Sequence, residues 1–181
     1  MPRYIAFLRA INVGGHTVKM DDLRGLCEAM GFASVETFIA SGNVVFETAS
    51  ADSKALEGQI EAGLKDALGY EVATFIRTPV ELAAAAHCQP FPQAVIDAAG
   101  ALNVAFLSEA LNEESTRKLM ALKTDIDDFH ANGREVYWLC QVKQSESKFS
   151  NAVLEKALGA KSTLRGISTV RKMAAKYPAI H

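Results

Sequence analysis

The chain has 181 residues, 49% of them hydrophobic and 22% charged, with a formal net charge of −2. This length admits one mid-sized domain or two small ones, and the composition excludes disordered and collagen-like classes. No apolar run reaches the roughly 18–20 residues of a membrane span and the N-terminus lacks a signal-peptide layout, so no membrane association and a cytoplasmic location are expected.

The first stretch, Arg3 to Val13, is apolar apart from Arg9 and reads as a buried strand. Met20, Leu23, Leu26, Cys27 and Met30 then repeat at helical spacing, with Asp21 and Asp22 in the first turn and Gly31 as the stop. "VETFIA" and "VVFETA" are strand-like runs separated by "SGN", with Gly42-Asn43 as a two-residue hairpin signal. Leu56, Ile60, Leu64 and Leu68 mark a second helix before Gly69, and "EVATFIRT" is a strand ended by Pro79. The order β-α-β-β-α-β is that of a ferredoxin-like unit.

Residues 81–100 form a helical, proline-punctuated connection. Beyond it, "ALNVAFLS" is a strand, Asn112 to Lys123 a helix capped by Asn112, and "DDFHANGREVYWLC" a hairpin turning at Asn132-Gly133. Helical patterns follow at Val153, Leu154, Ala157 and Leu158, and again at Ile167, Val170, Met173, Ala174 and Tyr177. The second half thus repeats β-α-β-β-α without a clear fourth strand. The fold class is α+β: two ferredoxin-like halves, 1–80 and 101–181, with antiparallel sheets and helices, a duplication of pattern without a strong sequence repeat. Tyr4, Ala6, Leu8 and Ala10 line one face of the first strand, while Ile5, Phe7 and Ile11 line the other. Two apolar faces imply that the open face of the sheet is covered by the other half or by a second copy of the chain.

With right-handed crossovers, the loop leaving the first strand and the turn joining the second and third lie at the same end of the sheet. Arg9, Asn12, Gly14, Gly15 and Lys19 are therefore expected beside Ser41, Gly42 and Asn43. Glycine amides and an arginine fork suit an anion. The competing reading is that the glycines serve turns and that Arg9 is satisfied internally by Glu36, Glu47 or backbone carbonyls. Residues 1–141 hold 11 Lys/Arg against 19 Asp/Glu and residues 142–181 hold 8 against 2, an acidic body with a basic tail. In that tail, Lys161, Arg165, Arg171, Lys172 and Lys176 surround the helix start at 166–169, which suits a phosphate or a nucleic-acid backbone or is simply a solvated face.

"FLRAINVGGHTVKMDDLRGLCEAMGF" followed by "VETFIASGNVVFET" resembles the N-terminal signature of the bacterial family known as domain of unknown function 1697. The resemblance implies two tandem ferredoxin-like units and no established activity. Near its end the family usually reads "TxRNWNTV". Here Arg165, Thr169 and Val170 match, whereas Gly166 and Ile167 replace Asn-Trp, which puts the ligand contacts of that pair in doubt for this chain.

Cys27, Cys88 and Cys140 are too scattered for a disulfide framework or a metal clip, and the histidines show no ligand spacing, so neither metal nor cofactor is expected. His87-Cys88 is better read as a packed helix end than as a nucleophile pair, and Phe46 as core rather than an RNA-stacking aromatic. No catalytic constellation is identified. The leading reading is a binding module for a small anionic ligand or a nucleic-acid segment. Its alternatives are an enzyme acting on a phosphorylated or carboxylated metabolite and a structural homodimer joined through the apolar sheet faces.

Overall fold

The computed structural model describes residues 1–11, 17–39 and 42–179. The chain divides into two compact units, 1–83 with 173–181, and 84–172. In the first, β1 (Arg3–Leu8), α1 (Met20–Ala29), β2 (Ala33–Thr37), β3 (Asn43–Glu47), α2 (Ser53–Leu68) and β4 (Thr74–Arg77) give an antiparallel sheet in the order β2-β3-β1-β4. The two helices pack Leu23, Cys27, Leu56, Ile60 and Leu64 onto Tyr4, Ala6, Leu8, Val44, Phe46 and Ile76. Full burial of each large apolar side chain contributes about 1.5–3 kcal/mol. Phe46, weighed above as a stacking aromatic, lies in this core with its ring 4.4 Å from that of Phe32. On the opposite face Ile5, Phe7, Val45 and Phe75 are also buried in the single chain.

The connection is two helices, α3 (Pro79–His87) and α4 (Gln93–Ala98). Thr78 opens α3 with a reciprocal cap: its N–H donates to Glu81 Oε1 and its Oγ1 accepts from the Glu81 N–H, with Pro79 at the first helical position. The second unit follows with β5 (Ala101–Leu107), α5 (Glu113–Met120), β6 (Asp127–Asn132), β7 (Glu135–Cys140), α6 (Asn151–Leu158) and β8 (Ser162–Gly166), its sheet in the order β6-β7-β5-β8; α7 (Ile167–Lys176) starts in this unit, and its residues from Met173 on count with the first. Its core sets Leu119, Phe149 and Leu154 against Ala105, Leu107, Phe129, Val136 and Trp138. Buried Asp127 accepts from the indole N–H of Trp138 at 2.8 Å and from Ser147 Oγ, pinning the segment after β7 to the sheet. Asn112 caps α5 as its sequence position suggested, accepting from the Ser115 N–H at 2.8 Å.

The second half does have its fourth strand. β8 pairs along β5, in a stretch, "STLRG", whose buried residues Ser162 and Thr163 are polar and whose apolar signal is correspondingly weak. The halves also agree in register. Leu8 faces Thr74 and Ile5 faces Arg77, as Leu107 faces Ser162 and Val104 faces Arg165. Each fourth strand is sealed by the helix before it. Glu57 and Glu61 of α2 accept the N–H groups of Ile76 and Thr74, and Glu155 of α6 accepts that of Ser162.

Both expected hairpin turns are displaced. Asn43 belongs to β3 and pairs with Phe38, which takes it out of the turn, and of Gly42 and Asn43 only Gly42 takes a positive φ (100°). The two-residue type I′ turn needs positive φ at both positions, and Asn43 does not supply it. In the second unit Asn132 pairs with Glu135, leaving Gly133-Arg134 as the turn. β1 stops at Leu8 rather than continuing to Val13, because Ala10 turns the backbone into the left-handed region at φ 52°. Among the described residues, no helix is long and apolar enough to cross a membrane.

Candidate functional site

The end of β1 and the β2–β3 loop meet at one rim of the first sheet. The Leu8 N–H donates to the Gly42 carbonyl at 2.7 Å, one step beyond the Phe7–Asn43 pair. Next along the chain, the Arg9 N–H donates to the Ala73 carbonyl, and the Arg9 side chain is half-buried. The chain is anchored on either side of residues 12–16. Ile11 is buried and its carbonyl accepts from the Tyr70 hydroxyl at 2.7 Å, while Val18 lies in the core. Lys19 is exposed at the N-cap of α1, where no side chain caps the helix.

The β2–β3 loop is closed by a backbone bond from the Phe38 N–H to the Asn43 carbonyl and by the Asn43 side-chain amide donating to the Phe38 carbonyl at 3.2 Å. Asn43 is buried, and these bonds give it a part in shaping the loop. Gly42 is buried beside it. Asn12, Gly14, Gly15 and Ser41 lie outside the described residues. The flanking backbone is strained on both sides: Ala10 has φ 52° and Ile39, a β-branched residue, φ 64°. Such conformations cost about 1–3 kcal/mol each and concentrate at functional sites.

Arg165 belongs to the second unit. It projects from β8, and its guanidinium donates to Thr163 Oγ1 at 2.6 Å and to the Leu164 carbonyl at 2.9 Å. Burial lowers its pKa to about 10, which leaves it charged at neutral pH. Arg77, overlooked in the sequence, holds the matching register position in the first unit, fully buried and donating to the Ile76 carbonyl at 2.9 Å. The signal was there as two short runs, "TFIR" and "STLR", at corresponding places in each half.

Of the two acids proposed for Arg9, Glu47 takes Arg3 at 3.4 Å and Glu36 takes the Tyr177 hydroxyl at 2.6 Å. That bond, together with burial, makes Tyr177 unavailable for base stacking and raises its pKa, desolvation first and Glu36 second. Arg171, Lys172 and Lys176 are exposed along α7, with Lys172 and Lys176 one turn apart.

The chain is similar over 99% of its length, and of the other chain's, to the solved structure of a conserved bacterial protein from Streptococcus pneumoniae, with 21% identity and a TM-score of 0.77, which supports the fold. No curated protein matches. The profile of the protein family of unknown function DUF1697 matches residues 1–137, the stretch that holds the whole first sheet and its rim, and the chain belongs to that family.

Proposed function

We propose that the first unit is a binding module for a small anionic ligand, held at the rim where the end of β1 meets the β2–β3 loop. The observation that carries this reading is the Leu8–Gly42 bond, which brings together two loops whose non-glycine residues Ala10 and Ile39 are kept in left-handed conformations. Strain of this kind persists only where the surroundings over-determine it. Arg9 offers a planar donor fork and Lys19 a mobile charge at the uncapped start of α1. A small ligand is preferred to nucleic acid because Tyr177 and Phe46, the aromatics considered for stacking, are both buried. The register shared by the two halves supports an origin by duplication, and three free cysteines support a reducing, cytoplasmic setting.

Thermal unfolding against inorganic phosphate, pyrophosphate, sugar phosphates and di- and tricarboxylates tests the reading. At least one of these anions is expected to stabilise the chain, by about 2.7 kcal/mol at a hundredfold excess over Kd. Arg9→Ala is expected to weaken that ligand by about tenfold, the scale of one charge-assisted hydrogen bond, measured as the loss of ligand-induced stabilisation relative to the variant's own ligand-free transition. A parent protein indifferent to the whole panel overturns the reading.

A further inference from the structure

At the opposite end of the same sheet, where β1 begins and β3 and β4 end, the first unit holds a half-enclosed cavity of about 360 Å³. That volume falls in the range of small-molecule sites. Its walls are mostly apolar, with Met1, Pro79, Val80 and Pro178 among them, and Met1 and Val80 are exposed. Two side chains in the lining are ionic: Arg3 and Glu47, opposite each other in the β1–β3 ladder.

These two groups touch through a single N–O contact of 3.4 Å, longer than the roughly 2.7–2.9 Å of a strong charge-assisted bond. Their side chains are 30% and 26% exposed, enough for a ligand to reach both. The Arg3 guanidinium carbon lies over the Tyr177 ring, 5.7 Å from its centre, and the Tyr177 hydroxyl donates to Glu36. A guanidinium and an adjacent carboxylate among apolar lining residues present a dipole to the cavity. The complementary molecule carries a carboxylate for Arg3, a neighbouring ammonium for Glu47 and an apolar body for the walls. A simple anion would face Glu47, and a simple cation would face Arg3.

We infer that this cavity is a second ligand site, for a free α-amino acid with an apolar side chain. It lies at the other end of β1 from the anion rim, so each site stands or falls alone. Isothermal titration of the full chain with L-phenylalanine and L-leucine is the test, with 3-phenylpropanoate and 2-phenylethylamine as analogues lacking one charge each. Saturable binding of at least one amino acid is expected, with each analogue of phenylalanine about tenfold weaker or worse than phenylalanine itself. Arg3→Met is expected to cost about tenfold, and Glu47→Gln to erase most of the preference for phenylalanine over 3-phenylpropanoate. Because changes at Arg3 can disturb the strand pairing, Val80→Glu serves as a second variant: it alters an exposed wall, leaves the fold's hydrogen bonds in place and is expected to abolish binding. Absence of saturable binding, analogues that bind as well as phenylalanine, or binding indifferent to Val80→Glu overturns the assignment.

Discussion

Cys27 lies on the inward side of α1, 2% exposed in the first core. Burial, with a smaller contribution from the Glu28 charge, pushes its thiol pKa up from about 9 to about 11. A thiol raised in the folded state contributes its full stability below the unfolded pKa and loses it as pH rises through the folded value. The window is therefore pH 9 to 11, and two pKa units correspond to a loss of about 2–3 kcal/mol. Cys140 and Tyr137, also raised by burial, act in the same alkaline direction. Urea midpoints measured from pH 8 to 11 are expected to fall for the parent and to fall less steeply for Cys27→Ala. Equal slopes for the two proteins would show that Cys27 ionises as freely in the folded chain as in the unfolded one. The burial of Cys27 was legible from its place in the run of α1. The left-handed turns at Ala10 and Ile39 were not, since neither residue type announces such a conformation and both are set by the strand pairing around them.

At the scale of elements, β4 and β8 are edge strands whose outward amides would otherwise face solvent or another chain. Glu57 and Glu61, one helical turn apart on α2, cover Ile76 and Thr74. On α6, Glu155 takes the Ser162 amide while Asn151, also one turn away, holds the Ser162 hydroxyl and carbonyl. Glu57 is 7% exposed, so truncating it strands a buried N–H. Glu57→Ala is expected to cost about 1–3 kcal/mol and to speed hydrogen exchange at Ile76 in particular. Unchanged protection at that amide would mean that the contact contributes nothing. The helices themselves were legible because Leu56, Ile60 and Leu64 repeat at one face. β8 was not, because its ordering comes from β5 and from Glu155 rather than from an apolar pattern of its own. Nor were the hairpin turns. Gly42 and Gly133 marked their vicinity, but the pairing of Asn43 with Phe38 and of Asn132 with Glu135 fixed the loop lengths.

For the whole molecule, the acidic body and basic tail of the linear sequence, −8 and +6, fold into two units of small net charge. The first unit, 1–83 with 173–181, carries 8 basic against 11 acidic residues, leaving −3; the second carries 11 against 10, leaving +1. Return of the C-terminal residues to the first unit brings Tyr177 to Glu36 and Arg3, a contact that residue order alone does not reveal. Near-neutral units hold a polyanion weakly. The chain is expected to leave a heparin column at or below about 150 mM salt, where exposed charges more than about 8 Å apart are largely screened. Retention well above that concentration would instead mark the exposed Arg171, Lys172 and Lys176 as a nucleic-acid surface. The buried Trp138 indole has a different use. It is the chain's single tryptophan and belongs wholly to the second unit, so its ultraviolet emission watches one half of the unlabelled protein. A guest taken up in the first half is optically silent unless its arrival is felt in the other, which makes this fluorophore a built-in detector of communication between the two.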